Sequence, residues 1–203
     1  MELGVNTTTR MARWEPHTRE RLERAAFALF VERGYDATTV AAIAQQAGLT
    51  KSTFFRQFAD KREVLSSSQD ILIELFRGAI AEAPPAATAI DCLAAALESL
   101  GPVFTPERRE VAQQRRVVIA ANSELQEREL LKRARLATVI ANALHARGVD
   151  KTSARLAAEM GVLAFNTTIA RWSESANRKP FTTIARAALR ELQTRATLLG
   201  NQG

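Results

Sequence analysis

The chain has one cysteine, Cys92, among 203 residues, so no disulfide can close within it. A reducing compartment is the expectation, with Cys92 a small core residue rather than a redox sensor. Histidine is nearly as scarce. His17 and His145 lie far apart, and neither belongs to an HExxH or a Cys/His metal spacing. There is no glycine-rich phosphate loop and no GxSxG elbow, so nothing points to a metal site, a cofactor or catalytic residues. No apolar run approaches the ~18 residues of a membrane span, and the N-terminus has no charged-then-apolar leader pattern. A cytoplasmic protein without membrane contact is expected. Internal repeats, low-complexity tracts and β-hairpin signals are also missing.

Acidic residues are in deficit: 22 Asp+Glu against 28 Lys+Arg give a net charge of +6. The excess is unevenly spread. Residues 1–65 hold ten basic and eight acidic side chains, residues 66–104 sum to −4, and the remainder carries +8. A surface for a polyanion near the N-terminus must therefore arise from placement, with Lys51, Arg56 and Lys61 on one side and Glu20, Glu23 and Glu32 elsewhere. Arg10 and Arg13 would join it if an N-terminal arm, residues 1–17, reached a duplex. The plainer reading of such an arm is a disordered tail.

What is present is helical punctuation. From Thr18, the residues Leu22, Ala25, Ala26, Leu29 and Phe30 keep an i, i+3, i+4 stripe that Gly34 ends as a left-handed cap. Thr38 or Thr39 caps a second helix, with Val40, Ile43, Ala44 and Ala47 facing inward. Gly48 supplies the positive φ of a sharp exit, and Thr50 or Ser52 caps a third helix. On this helix Phe54 and Phe58 fall four apart and anchor inward. Its other face carries Lys51, Ser52, Thr53, Phe55 and Arg56, groups that reach phosphates and base edges. Helix, helix, turn, helix is the order of a helix-turn-helix domain whose last helix enters the major groove. An ordinary short amphipathic helix is the plainer reading of the same residues.

The run FVERGYDATTVAAIAQQAGLTKSTFFRQFADKREVL resembles the N-terminal domain of TetR-type transcriptional regulators, over residues 18–65. The resemblance lies in a combination: Tyr35 after the glycine, Thr38-Thr39-Val40, Ile43-Ala44, Ala47-Gly48, and Thr53-Phe54-Phe55 ahead of Phe58 and Lys61. It implies an all-α homodimer in which paired N-terminal domains read a palindromic operator in double-stranded DNA. A C-terminal helical domain, residues 66–203, would provide dimerisation and bind a small effector that releases the DNA. Carried over by position, phosphate contacts fall at Thr39, Phe55, Arg56 and Lys61, beside Thr38, and base contacts at Thr50, Lys51, Ser52 and Thr53. Phe55 departs from the pattern, because such regulators often carry a tyrosine there. Its ring lacks the hydroxyl that would bond a phosphate, a loss Arg56 is placed to offset. Asp60 and Glu63 form a capping pattern that opens the fourth helix at Lys61.

Beyond Asp60 the expected elements are a long fourth helix to about Glu82, a break at Pro84-Pro85, and a fifth helix over Thr88 to Leu100. A short helix follows from Thr105, another from Ser123 with Gln126 completing a capping box, and two more start at Asp150 and at Asn177–Pro180. The small residues Ala157, Gly161, Ala164 and Thr168, with the stripe Phe181, Ile184, Ala185, Ala188, Leu189 and Leu192, suit either a dimer bundle or the chain's own core, and the resemblance implies a four-helix dimer bundle. Phe76, Ile80, Phe104, Ile119, Phe165, Asn166 and Trp172 are the candidate lining of an apolar ligand site. In residues 107–135, Arg108, Arg109, Arg115, Arg116, Lys132, Arg133 and Arg135 form a cationic cluster that reads as a solvated face or as a seat for an anionic headgroup. This segment resembles the C-terminal domain of mycofactocin-associated TetR-type regulators, which implies an acyl-CoA-like effector. The rival readings are an enzyme, a helical ligand-binding protein without DNA recognition, and an architectural protein that binds DNA without sequence preference.

Overall fold

The computed structural model describes residues 17–65 and 69–200, so the N-terminal arm with Arg10 and Arg13 lies outside the described residues. Among these there is no strand, and the chain is an N-terminal helix-turn-helix domain followed by a C-terminal helical one. Helix α1 (Thr18–Arg33) buries Leu22, Ala26, Phe27, Leu29 and Phe30. Gly34 ends it at φ 83°, ψ 156°, so the positive φ is used to leave in an extended direction rather than as a left-handed cap. Helix α2 (Val40–Gln46) is capped by Thr39, whose hydroxyl accepts from Ala42 N–H at 3.2 Å. Gly48 then turns the chain at φ 65° into α3 (Lys51–Gln57), capped by Thr50.

Phe54 and Phe58 are completely buried, with ring centroids 5.4 Å apart. Such burial contributes about 1.5–3 kcal/mol per ring. Two arginines of α1 hold the far ends of the motif. Arg21 donates to the Ala47 carbonyl at 2.7 Å, and Arg19 donates to the Gln57 carbonyl at 2.9 Å while its guanidinium lies 4.4 Å from the Phe58 ring centre. Cations at helix C-termini satisfy carbonyls that lack an intrahelical partner.

The expected long fourth helix is two helices, α4 (Lys61–Val64) and α5 (Gln69–Glu82). At the break, Leu65 N–H closes a tight turn on the Arg62 carbonyl, and the Leu65 carbonyl accepts from Arg115 and Lys132. After Pro84-Pro85 come α6 (Ala89–Ser99), with a Thr88–Asp91 capping box, a 3-10 turn (Pro106–Arg108) and α7 (Arg109–Ala120). Helix α8 (Ser123–Ala146) is capped by Asn122 rather than Ser123. The expected capping box is absent because the Gln126 amide reaches back to the Ala120 carbonyl at 2.7 Å. Helices α9 (Lys151–Trp172), capped by Asp150, and α10 (Phe181–Gly200) complete the order.

The small-residue row of α9 faces inward: Ala157, Gly161, Ala164 and Thr168 are all buried. A Cβ at Gly161 would stand 2.7 Å from Leu93 of α6, so this row admits a helix of the same chain. The α10 stripe from Phe181 to Leu189 is likewise buried in the chain's own core. Two apolar cores result. The N-terminal one includes Val118 of α7 and Leu125 of α8, so the C-terminal helices finish it.

Candidate nucleic-acid interface and adjoining cavity

The third helix presents its polar face outward from the Phe54–Phe58 mount. Thr50, Lys51, Ser52, Phe55 and Arg56 are exposed, Phe55 by 56%. Thr53 is oriented by neighbours: its hydroxyl lies 3.0 Å from that of Thr50 and accepts from Arg56 at 3.2 Å. Lys51 makes no ion pair or hydrogen bond among the described residues. Thr39 is exposed at the start of α2 on the same domain. This arrangement holds hydroxyl donors, one free ammonium and one guanidinium in fixed relation to a rigid core, which suits contact with base edges and phosphates.

Two sequence-derived residues occupy other roles. Thr38 is 2% exposed, and its hydroxyl donates to the Gly34 carbonyl at 2.8 Å; it closes the turn after α1 and presents nothing outward. The Lys61 ammonium donates to the carbonyls of Tyr35, Asp36 and Thr38 at 2.8, 3.2 and 3.1 Å. It also sits 4.4 Å from the Tyr35 ring centre. All three donors of Lys61 are thus used within the fold rather than offered to phosphate. Next to it the Tyr35 hydroxyl is buried without a hydrogen-bond partner. Burial, reinforced by the Asp60 carboxylate, pushes its pKa up to about 12.

Behind this domain lies a cavity of about 1190 Å³, bounded by α1, α5, α7, α8 and α9. Of the seven candidate ligand-site residues, Phe104, Ile119, Phe165 and Asn166 line this cavity, whereas Phe76, Ile80 and Trp172 do not. Those three are fully buried, in a core where Phe104 stacks on Phe181 at 4.4 Å and Trp172 meets both edge-on. Apolar wall residues missed in the sequence include Leu72, Val111, Leu136, Val162 and Ile169. Their spacing is that of core residues, and sequence does not distinguish a helix face touching another helix from one facing a void.

The cationic cluster separates into parts. Arg108, Arg115, Arg116, Lys132 and Arg133 line the cavity. Arg109 instead bonds the Asn177 carbonyl at 2.9 Å beside the Trp172 ring, and Arg135 pairs with Asp70. One wall of the cavity belongs to α1: Glu23, only 9% exposed, pairs across to Arg108 at 3.8 Å and along α1 to Arg19 at 3.6 Å.

Residues 23–67 match the model of bacterial regulatory proteins of the tetR family. Over those residues the chain resembles the N-terminal domain of tetR-family regulators. Over 83 residues the chain is 34% identical to the HTH-type transcriptional regulator TcmR of Streptomyces glaucescens. That stretch is 41% of this chain and spans 37% of the length of TcmR. The tetR-type architecture extends further in space. A TetR-family regulator from Syntrophomonas wolfei superposes with a TM-score of 0.59 at 17% identity, over 89% of this chain and 95% of that one. The fatty acid degradation regulator FadR of Bacillus halodurans gives 0.55 at 17%, over 88% and 95%. FadR of Thermus thermophilus, a repressor whose structure holds lauroyl-CoA, gives 0.51 at 22%, over 86% and 93%. At these identities the likeness establishes the fold. No helix among the described residues is long and apolar enough to cross a membrane.

Proposed function

We propose that the protein is a sequence-specific transcriptional regulator, a repressor that a small, largely apolar ligand releases from a palindromic operator. The observation that carries this reading is the outward face of α3, where Thr50, Lys51, Ser52, Thr53 and Arg56 stand on a mount fixed by the buried Phe54 and Phe58. Thr39 and Phe55 flank that face for backbone contacts. In a dimer the two recognition helices would sit about one turn of duplex apart, ~34–36 Å or a multiple. The outward leucines Leu156 and Leu163 of α9 and Leu198 and Leu199 of α10, each more than half exposed, are the contact surface assigned to the second copy.

The cavity is the effector site in this reading. Its size exceeds the ~300–1,000 Å³ of drug-sized pockets, and its apolar walls beside cations suit an acyl-CoA-like molecule. The lauroyl-CoA held by the Thermus FadR and the resemblance of residues 107–135 to mycofactocin-associated regulators support that class. Because α1 forms part of the wall, ligand entry would tilt the N-terminal domain and alter the spacing of the paired α3 helices. A ligand preferring the released spacing ~100-fold supplies ~2.7 kcal/mol of bias per site.

Selection of bound fragments from random duplex DNA, at fixed salt, tests the reading with the natural protein, Lys51→Ala and Thr53→Ala. A palindromic motif that relaxes in both variants is expected. Salt-sensitive binding with no motif would favour an architectural protein, and no binding at all would leave the cavity as the whole function. Crosslinking the two N-terminal domains at operator spacing should abolish release by ligand; unchanged release would overturn the spacing mechanism.

A further inference from the structure

The carbonyl of Leu65 stands where the N-terminal domain ends, and it is held by two side chains of the C-terminal domain. Arg115 Nε of α7 donates to it at 3.1 Å and Lys132 Nζ of α8 at 3.4 Å. Both side chains line the cavity, as does Arg133, which makes no ion pair or hydrogen bond among the described residues. Among the described residues the carboxylate beside these three cations is Glu129, bonded to Arg115 at 2.7 Å. Burial and the neighbouring Arg115 hold Lys132 below the ordinary lysine range, with Glu129 acting in the opposite sense. A neutral carbonyl satisfies donors without satisfying charge. A carboxylate or phosphate in its place makes bonds charged on both sides and can take a guanidinium in a two-pronged fork, which a single carbonyl oxygen cannot.

We propose that Arg115, Lys132 and Arg133 form an anion subsite at this end of the cavity, for the carboxylate or phosphate end of an apolar-chain ligand. Its occupation draws Arg115 and Lys132 off the Leu65 carbonyl and loosens α4 from the C-terminal domain. The apolar chain then lies along Leu72, Leu136 and Ile169, which share the cavity with the three cations. The proposal rests on the cavity being the effector site, and its transmission step needs no operator sequence. It differs from a general tilt of α1 in naming one carbonyl as the point of release.

The test uses decyl phosphate, decanoate and decanol as probes of equal chain length, below micelle concentration, with binding by calorimetry. Hydrogen exchange of residues 61–65 is followed in parallel. Either or both anions should bind at least tenfold more tightly than decanol; preference for the phosphate would indicate a phosphorylated ligand, preference for the carboxylate a free acid. Lys132→Met should lose most of that difference and Lys132→Arg should keep it, with Arg133→Gln, at an exposed position, intermediate. Anion binding should speed exchange at residues 61–65 in the natural protein, and Lys132→Met should exchange fast there without any probe. Decanol binding as tightly as both anions, or neither anion binding, would overturn the subsite. Tight anion binding with unchanged exchange would overturn the release step. Because no arm contains DNA, failure to find an operator counts against the regulator reading alone.

Discussion

At the scale of single residues, the N-terminal domain separates side chains that hold the fold from those offered outward. Lys61 satisfies three carbonyls, and hydrogen bonds to a charged group are worth about 1.5–3 kcal/mol each at most. Lys61→Met should therefore lower the urea midpoint clearly. Lys51→Ala, at a position with no internal partner, should leave it unchanged while weakening DNA binding. Tyr35 offers a second check. Its neutral form is favoured in the fold, so between the ordinary 10 and about 12 the folded chain keeps a proton that the unfolded chain releases. Stability falls as pH rises through that window. Tyr35→Phe removes an unpartnered buried hydroxyl; thermal unfolding should show it at least as stable at neutral pH and free of that alkaline contribution. The inward pair Phe54 and Phe58 and the turn at Gly48 were legible from spacing and glycine chemistry. The role of Lys61 was not, because its partners lie 23–26 residues away and become neighbours only once α1 and α4 pack.

At the scale of helices, prolines, glycines and capping residues marked most boundaries, since local chemistry alone sets them. The start of α8 moved by one residue because Asn122 and Ser123 are both good caps, and the choice fell to Gln126 reaching the Ala120 carbonyl. The division between α4 and α5 was illegible for a different reason: the groups that take the Leu65 carbonyl come from α7 and α8, 50 and 67 residues onward. Gly161 tests the assignment of the α9 small-residue row to internal packing. Gly161→Ala gains about 1 kcal/mol of helix propensity but crowds the fully buried Leu93, and overpacking costs about 1–3 kcal/mol. A net loss near 1 kcal/mol in chemical denaturation is expected, with no change in oligomeric state.

At the scale of the whole molecule, the all-helical organisation followed from periodicity and helix punctuation, whereas the cavity did not. A void is a property of how helices diverge, and four of its seven sequence candidates lined it while three fell in the solid core. The cationic cluster shows the same limit, since five of its members converge on the cavity although their spacing fits a solvated face. For assembly, Leu156→Glu with Leu163→Glu should shift sedimentation towards a monomer while leaving the helical circular dichroism intact, because both side chains are more than half exposed in one chain.

The N-terminal core is completed by Val118 and Leu125, so its unit of inheritance is not the segment that ends at Leu65. An engineer grafting this DNA-reading module onto a foreign sensor at that junction would strip a wall from its interior, uncovering the core on the side that Val118 and Leu125 complete. A working chimera has to carry α7 and the first turn of α8 along with α1 to α4, and a sensor exchanged in nature would have to bring compatible residues at those two positions.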